Sequence, residues 1–251
     1  KFYNPEALIG NRLAFAYPYP PPSLLFAVPG HVVAGDYRYS ELVLLVLAAA
    51  CIGYSRAGTT PKLAAALLLT TPRVWFVIEE GWTEPVGIFL LALTVFLLIR
   101  RSVPAAFVAG VFVVTKQYLG FTGFAVVRLV FMRMASWHWS TIAGTLAAAA
   151  VTLPFLLWHP NAFMRNVVWL QTTEPFRPDS LSMLSWAARN GYGNGSYLWA
   201  VGSAFMAGAV TTIATRNTPS GFAVAVAATT FTMFAFGSKA FCNYYFFVIG
   251  A

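Results

Sequence analysis

The stretch VIEEGWTEPVG, residues 77–87, holds Glu79, Glu80 and Glu84, three of the eight carboxylates in a 251-residue chain, between two apolar runs. On a continuous helix Glu80 and Glu84 would share a face at i, i+4, but Gly81 and Pro85 favour a break and a restart. Repulsion among three acids this close asks for a cation, a base role or a shared proton. A plainer reading covers one of them: Thr83 caps the next helix, and Glu84 in its first turn complements the helix dipole. The local sequence leaves structural and functional readings evenly balanced, with Glu84 and Glu80 as candidate catalytic groups and Glu79 and Trp82 as candidate substrate contacts.

The cations come next. Arg73 lies inside the apolar run LAAALLLTTPRVWFVIEE, where an arginine needs a partner and is a functional candidate by default. It pairs with one of the glutamates or binds an anion; a purely structural ion pair is the alternative. Lys116, with Gln117 and Tyr118, ends a short helix; it either snorkels or joins Arg73 in holding a phosphate at the membrane surface. Arg177 and Asp179, in EPFRPDSLS, are further substrate-binding candidates, although a solvated loop is the commoner fate of such residues. Lys239, Asn243 and Tyr244 form a weaker group. His31, His138 and His159 are dispersed without ligand spacing, and Cys51 and Cys242 indicate neither a disulfide framework nor a metal site. No P-loop, dinucleotide fingerprint, nucleophile elbow or HExxH occurs.

These residues are set in a chain that is 59% hydrophobic and 10% charged, a composition of the membrane class. The expected fold is an all-α polytopic membrane protein. Helices are predicted at about 41–55, 62–79, 84–100, 103–116, 120–133, 139–158, 196–214 and 221–237, with a last span from 241, so eight or nine cross the bilayer. The chain is one transmembrane domain: an outer proline-rich segment (1–40), membrane helices (41–158), an outer loop (159–195) and membrane helices (196–251). Residues 103–133 are read as two short helices, because one span would place Lys116 near mid-membrane at about 3 kcal/mol.

The loops sort by charge. Arg56, Lys62, Arg100, Arg101, Arg128, Arg133 and Arg216 fall on one side; Glu6, Asp36, Glu41, Glu79, Glu80, Glu84, Glu174 and Asp179 fall on the other. The positive-inside rule puts the bases in the cytoplasm and the acids outside an inner or plasma membrane. Basic charge scattered through short loops excludes a nucleic-acid face. The prolines preclude a regular helix through 18–22, and residues 23–34 lie at the interface or re-enter. Asn161 is expected to cap a helix with Phe163, Val167 and Leu170 on one face, and Trp158, Trp169 and Trp186 suit the headgroup layer. The chain begins without Met and stops inside NYYFFVIGA, which reads as a fragment of a longer protein.

The order of YPYPPPSLLFAVPG, then TTPRVWFVIEEGWTEPVGIFLLALTVFLLIRR, then FVAGVFVVTKQYLG resembles the GT-C superfamily of integral-membrane glycosyltransferases, nearer families 87 and 39 than others. The resemblance covers most of residues 15–135. It implies transfer of a sugar from a polyprenyl-phosphate donor to a hydroxyl of a glycan, lipid or protein acceptor on the outer side. By this resemblance Glu84 matches the outer acid near the reaction centre, where the family often has Asp. Lys116 matches the lysine of the TK element near the lipid phosphate, and PYPPP lines the site, with Ser23 where Leu is commoner. The principal catalytic acid of such enzymes lies upstream of the proline segment, where this chain keeps only Glu6. Dependence on a divalent cation stays open. Two other readings stand beside this one: a secondary transporter or permease, which needs charges at the bilayer midplane and paired broken helices, and a non-catalytic membrane subunit of envelope assembly.

Overall fold

Pro21 and Pro22 open the first helix rather than prevent it. The missing amide hydrogens fall in the first turn, where they have no intrahelical partner to lose, and α1 runs Pro21–Ala34 with Pro29 inside it. The computed structural model describes residues 8–9, 12–13, 17–102, 104–133, 137–173 and 176–251. Before α1, the two-residue strands β1 (Leu8–Ile9) and β2 (Arg12–Leu13) pair antiparallel. The rest is helical: α2 (Arg38–Gly53), α3 (Thr59–Thr70), α4 (Arg73–Glu79), α5 (Glu84–Ile99) and α6 (Ala105–Val113), then a 3-10 turn (Gln117–Thr122). After α7 (Gly123–Arg133) and α8 (Trp137–Trp158) come α9 (Pro160–Phe163), a π-helical stretch (Met164–Trp169) and α10 (Leu170–Thr173). The chain closes with α11 (Met183–Arg189), α12 (Leu198–Ala214), α13 (Pro219–Ala235) and α14 (Cys242–Gly250).

The apolar sequence of α5, EPVGIFLLALTVFLLI, has no polar stripe, and a helix of that kind is stable only when surrounded. It packs against α2, α6, α13 and α14. The core forms around it from Leu45, Ala48, Val77, Val86, Ile88, Leu91, Phe112, Leu119, Phe246 and Phe247. The α6–α8 crossing is close because Gly110 faces Gly144 backbone to backbone, and a Cβ on Gly110 would meet the Gly144 carbonyl.

Several expectations change. The 62–79 span is two helices, α3 and α4, bent by 52° at Thr71–Pro72, because the residue before a proline avoids the helical region. The 103–133 region is broken, as expected, between α6 and the 3-10 turn. His159, not Asn161, caps α9: its imidazole accepts from the Ala162 amide at 3.4 Å, and Pro160 takes the first helical position. Among the described residues one helix, Trp139–Trp158, is by itself long and apolar enough to cross a membrane; the bent α3–α4 pair is a second if it counts as one span.

Arginines make hydrogen bonds between elements at both ends of the bundle. At one end Arg100 donates to the Tyr54 carbonyl at 3.1 Å, and Arg128 bonds Asn217 and Thr215. At the other, Arg38 donates to the Glu79 carbonyl at 3.2 Å, joining the start of α2 to the end of α4.

Candidate functional site

Of the three clustered glutamates only Glu84 turns inward. It begins α5 and is fully buried. Lys116, extended between α6 and the 3-10 turn, is 1% exposed. Its ammonium donates to Glu84 Oε1 at 2.6 Å, and Asn243 at the head of α14 donates to the same oxygen at 3.0 Å. A lysine so far from water would be very costly without this partner, so the break after α6 and the start of α5 are fixed to each other. The ammonium also sits 4.6 Å from the Tyr19 ring centre and 5.9 Å from that of Tyr118.

Acceptors outnumber donors here. Glu84 Oε2, Asn243 Oδ1, the Tyr118 hydroxyl and both carboxyl oxygens of Glu41 are buried without a hydrogen-bond partner. Glu41, in the first turn of α2, is fully buried and feels the charges of both Lys116 and Glu84. Nearby, Tyr17 donates to Ser23 at 3.0 Å and Ser23 to the Pro20 carbonyl at 2.8 Å. Burial pushes the Tyr17 phenol up to about 12, so it stays neutral. The proline segment thus roofs the acid cluster.

Two cavities flank it. A groove of about 330 Å³ has apolar walls from Val113, Val114, Phe163, Val167 and Val168, with Lys116 and Gln117 on its lining. A smaller pocket of about 90 Å³ is lined by Tyr19, Tyr118, Phe234, Tyr244, Gln171 and Lys239, among others. Gln117, Gln171 and Tyr197 line both. The Gln117 side-chain amide donates to the Pro18 carbonyl at 2.5 Å and to the Val167 carbonyl at 3.0 Å. That nitrogen therefore ties the walls together rather than offering itself to a ligand.

The other candidates lie elsewhere. Glu79 and Glu80 are exposed, and the chain leaves them through Gly81, whose φ of 65° suits a residue without Cβ. Thr83 does not cap α5. Its ψ of 16° turns the hydroxyl away from the amides an extended cap residue would reach, and its oxygen is buried without a partner. Trp82 is half-buried and meets Phe76 edge-on at 5.2 Å. The expected pairing of Arg73 with a glutamate is not made: Arg73 starts α4 and the acids end it, about 9 Å along the axis. Its exposed guanidinium instead lies 5.8 Å from the Phe76 ring.

Arg177 and Asp179 pair with each other at 2.7 Å on the surface, and the guanidinium holds the Asp179 carboxyl below its usual range. Their loop docks on the site end, where the Leu181 amide donates to the Ala240 carbonyl and Tyr245 to the Leu181 carbonyl, each at 2.6 Å. Glu6 and Glu174 lie outside the described residues. Among those described, no three His, Cys, Asp or Glu side chains converge as a metal site.

Glu41 and Gln171 were not singled out from sequence. An acid heading the apolar run ELVLLVLAAACIG and an asparagine inside FCNYYFF are the signals that point to Glu41 and Asn243. No family model, no curated protein and no solved structure matches this chain.

Proposed function

We propose that the chain is the membrane-embedded part of a glycosyltransferase that moves a sugar from a polyprenyl-phosphate donor to an acceptor hydroxyl on the outer side of an inner or plasma membrane. The observation that carries this reading is the buried Glu84–Lys116–Asn243 cluster beside an apolar-walled groove. A polyprenyl tail suits such walls, and its phosphate would then lie near Lys116, where positive charge stabilises a departing anion. The motif order noted in the sequence points to the same two residues, Glu84 and Lys116.

In this reading a carboxylate of the cluster takes the proton of the acceptor hydroxyl. The acceptor oxygen bonds the anomeric carbon as the bond from that carbon to the phosphate oxygen breaks, and polyprenyl phosphate leaves with the bonding pair. A bilayer setting is supported by the many large apolar side chains left exposed, among them Val33, Trp158, Leu198 and Ile213. Full-length protein in nanodiscs, given radiolabelled polyprenyl-phosphate hexoses, is expected to consume the donor, and Glu84→Gln to lower that rate at least about a hundredfold. Unchanged turnover in the variant would remove Glu84 from the reaction, and no turnover by the parent would remove the reading.

One observation favours a second reading. Glu41, a buried carboxyl with both oxygens unpartnered, is the kind of group that carries protons in a permease. Proton uptake coupled to solute flux in sealed vesicles, lost in Glu41→Gln, would select it.

A further inference from the structure

We infer that the end of the bundle away from the acid cluster carries a site for an anionic phospholipid, with an aliphatic cleft for an acyl chain and arginines at its mouth for the phosphate. This rests on the bilayer setting and not on glycosyl transfer. A cavity of about 500 Å³ lies among α2, α3, α5, α13 and α14, within the range of about 300–1,000 Å³ that ligand sites span. Its wall is formed by Ile52, Leu67, Leu91, Val95, Val224 and Ile249. α2 contributes its last turn, α13 its first turns and α14 its last turn. Since Asn243 at the head of α14 reaches Glu84, the cleft sits in the opposite half of the bundle. Leu67, Val224 and Ile249 are exposed as well as lining it, so it opens sideways, on the face that a bilayer would cover.

Charge around this cleft has one sign. Arg56 follows the lining residue Ser55, and Lys62 precedes the lining residue Ala64 by two positions. Arg100 donates to the Tyr54 carbonyl at 3.1 Å, which joins the end of α5 to the end of α2. α2 and α5 carry their acids, Glu41 and Glu84, in their first turns, and α3, α13 and α14 carry none. Basic residues clustered between membrane helices attract the phosphate of an anionic lipid. Phosphatidylcholine, neutral overall, gains little from them.

Arg101 supplies a second observation. α5 ends with the Arg101 amide donating to the Leu98 carbonyl at 3.1 Å and the Ser102 amide to the Leu97 carbonyl at 2.9 Å. That ending puts Arg101 in the left-handed region, at a φ of 54°, where glycine is the usual residue. Among the described residues it alone, glycines aside, has a positive φ. An arginine held where glycine would sit without strain points to a use for its guanidinium. Arg101 is exposed, and among the described residues it makes no ion pair.

Full-length protein in a neutral detergent is titrated with phosphatidylglycerol and with phosphatidylcholine of the same acyl chains, and bound lipid is counted by native mass spectrometry. The parent is expected to bind phosphatidylglycerol at least about twentyfold tighter, a preference that shrinks with added salt. Arg101→Gly is expected to cut that preference about fivefold while raising Tm in phosphatidylcholine nanodiscs, a pair of changes that misfolding does not produce. Adding Arg56→Gln is expected to cut it about fivefold again. Ala64→Phe, which narrows the cleft, is expected to weaken both lipids about equally. Equal binding of the two lipids by the parent, or an undiminished preference in the arginine variants, would overturn the site. Unchanged binding in Ala64→Phe, or soluble glycerol phosphate binding as tightly as phosphatidylglycerol, would remove the cleft and overturn it as well.

Discussion

Removing one partner from a buried ion pair strands the other charge where water cannot reach it. Lys116→Met and Glu84→Gln are each expected to destabilise the fold by about 3–5 kcal/mol. The double variant should lose less than the sum, as read from thermal unfolding in detergent. Glu41 behaves in the opposite sense. Its carboxyl is buried without a hydrogen-bond partner, so Glu41→Leu is expected to stabilise the fold by about 1–3 kcal/mol while lowering donor turnover. Greater stability with unchanged turnover would make Glu41 a bystander. The sequence picked out Glu84 and Lys116 because acids and lysines are rare in apolar runs. Their pairing was not readable, since it spans 32 positions and depends on how α5 and α6 pack. Arg73 drew the same notice from its setting, yet the bend at Thr71–Pro72 leaves it on the surface.

Backbone interruptions place the helices around the site. The break at Lys116 was legible because a charge is costly at mid-span, and the start of α5 because Pro85 suits a first turn. The bend between α3 and α4 and the π-helical stretch were not legible, since each depends on neighbours far along the chain. The same holds for the α6–α8 approach, where Gly110 and Gly144 touch backbone to backbone. Gly110→Val would push a side chain into the Gly144 carbonyl. The expected loss is about 1–3 kcal/mol, seen as a lower Tm, with the KM for donor little changed in the protein that stays folded. A larger change in KM than in Tm would mean that this crossing shapes the groove directly.

Across the whole molecule, Arg100 and Arg101 follow the end of α5 and Arg128 lies within α7, while the buried acids Glu41 and Glu84 head α2 and α5. The proposed orientation is checked by cysteine labelling in intact cells after replacing Cys51 and Cys242. A cysteine at Glu80 is expected to react with a membrane-impermeant thiol reagent from outside, and one at Arg101 only after lysis. The reverse pattern would place the acids inside and remove the argument for an outer reaction. Composition made the helical class legible, but helix lengths were not, and among the described residues Trp139–Trp158 alone is by itself long and apolar enough to cross a membrane. The hydrogen bond from Asn243 to Glu84 joins positions 159 apart, and this has a consequence for biosynthesis. As the ribosome extends the chain, Glu84 and Lys116 emerge long before the segment that supplies Asn243. The cluster is therefore completed only when α14 is released and docks, and a nascent chain stalled before α14 carries the ion pair without its cover.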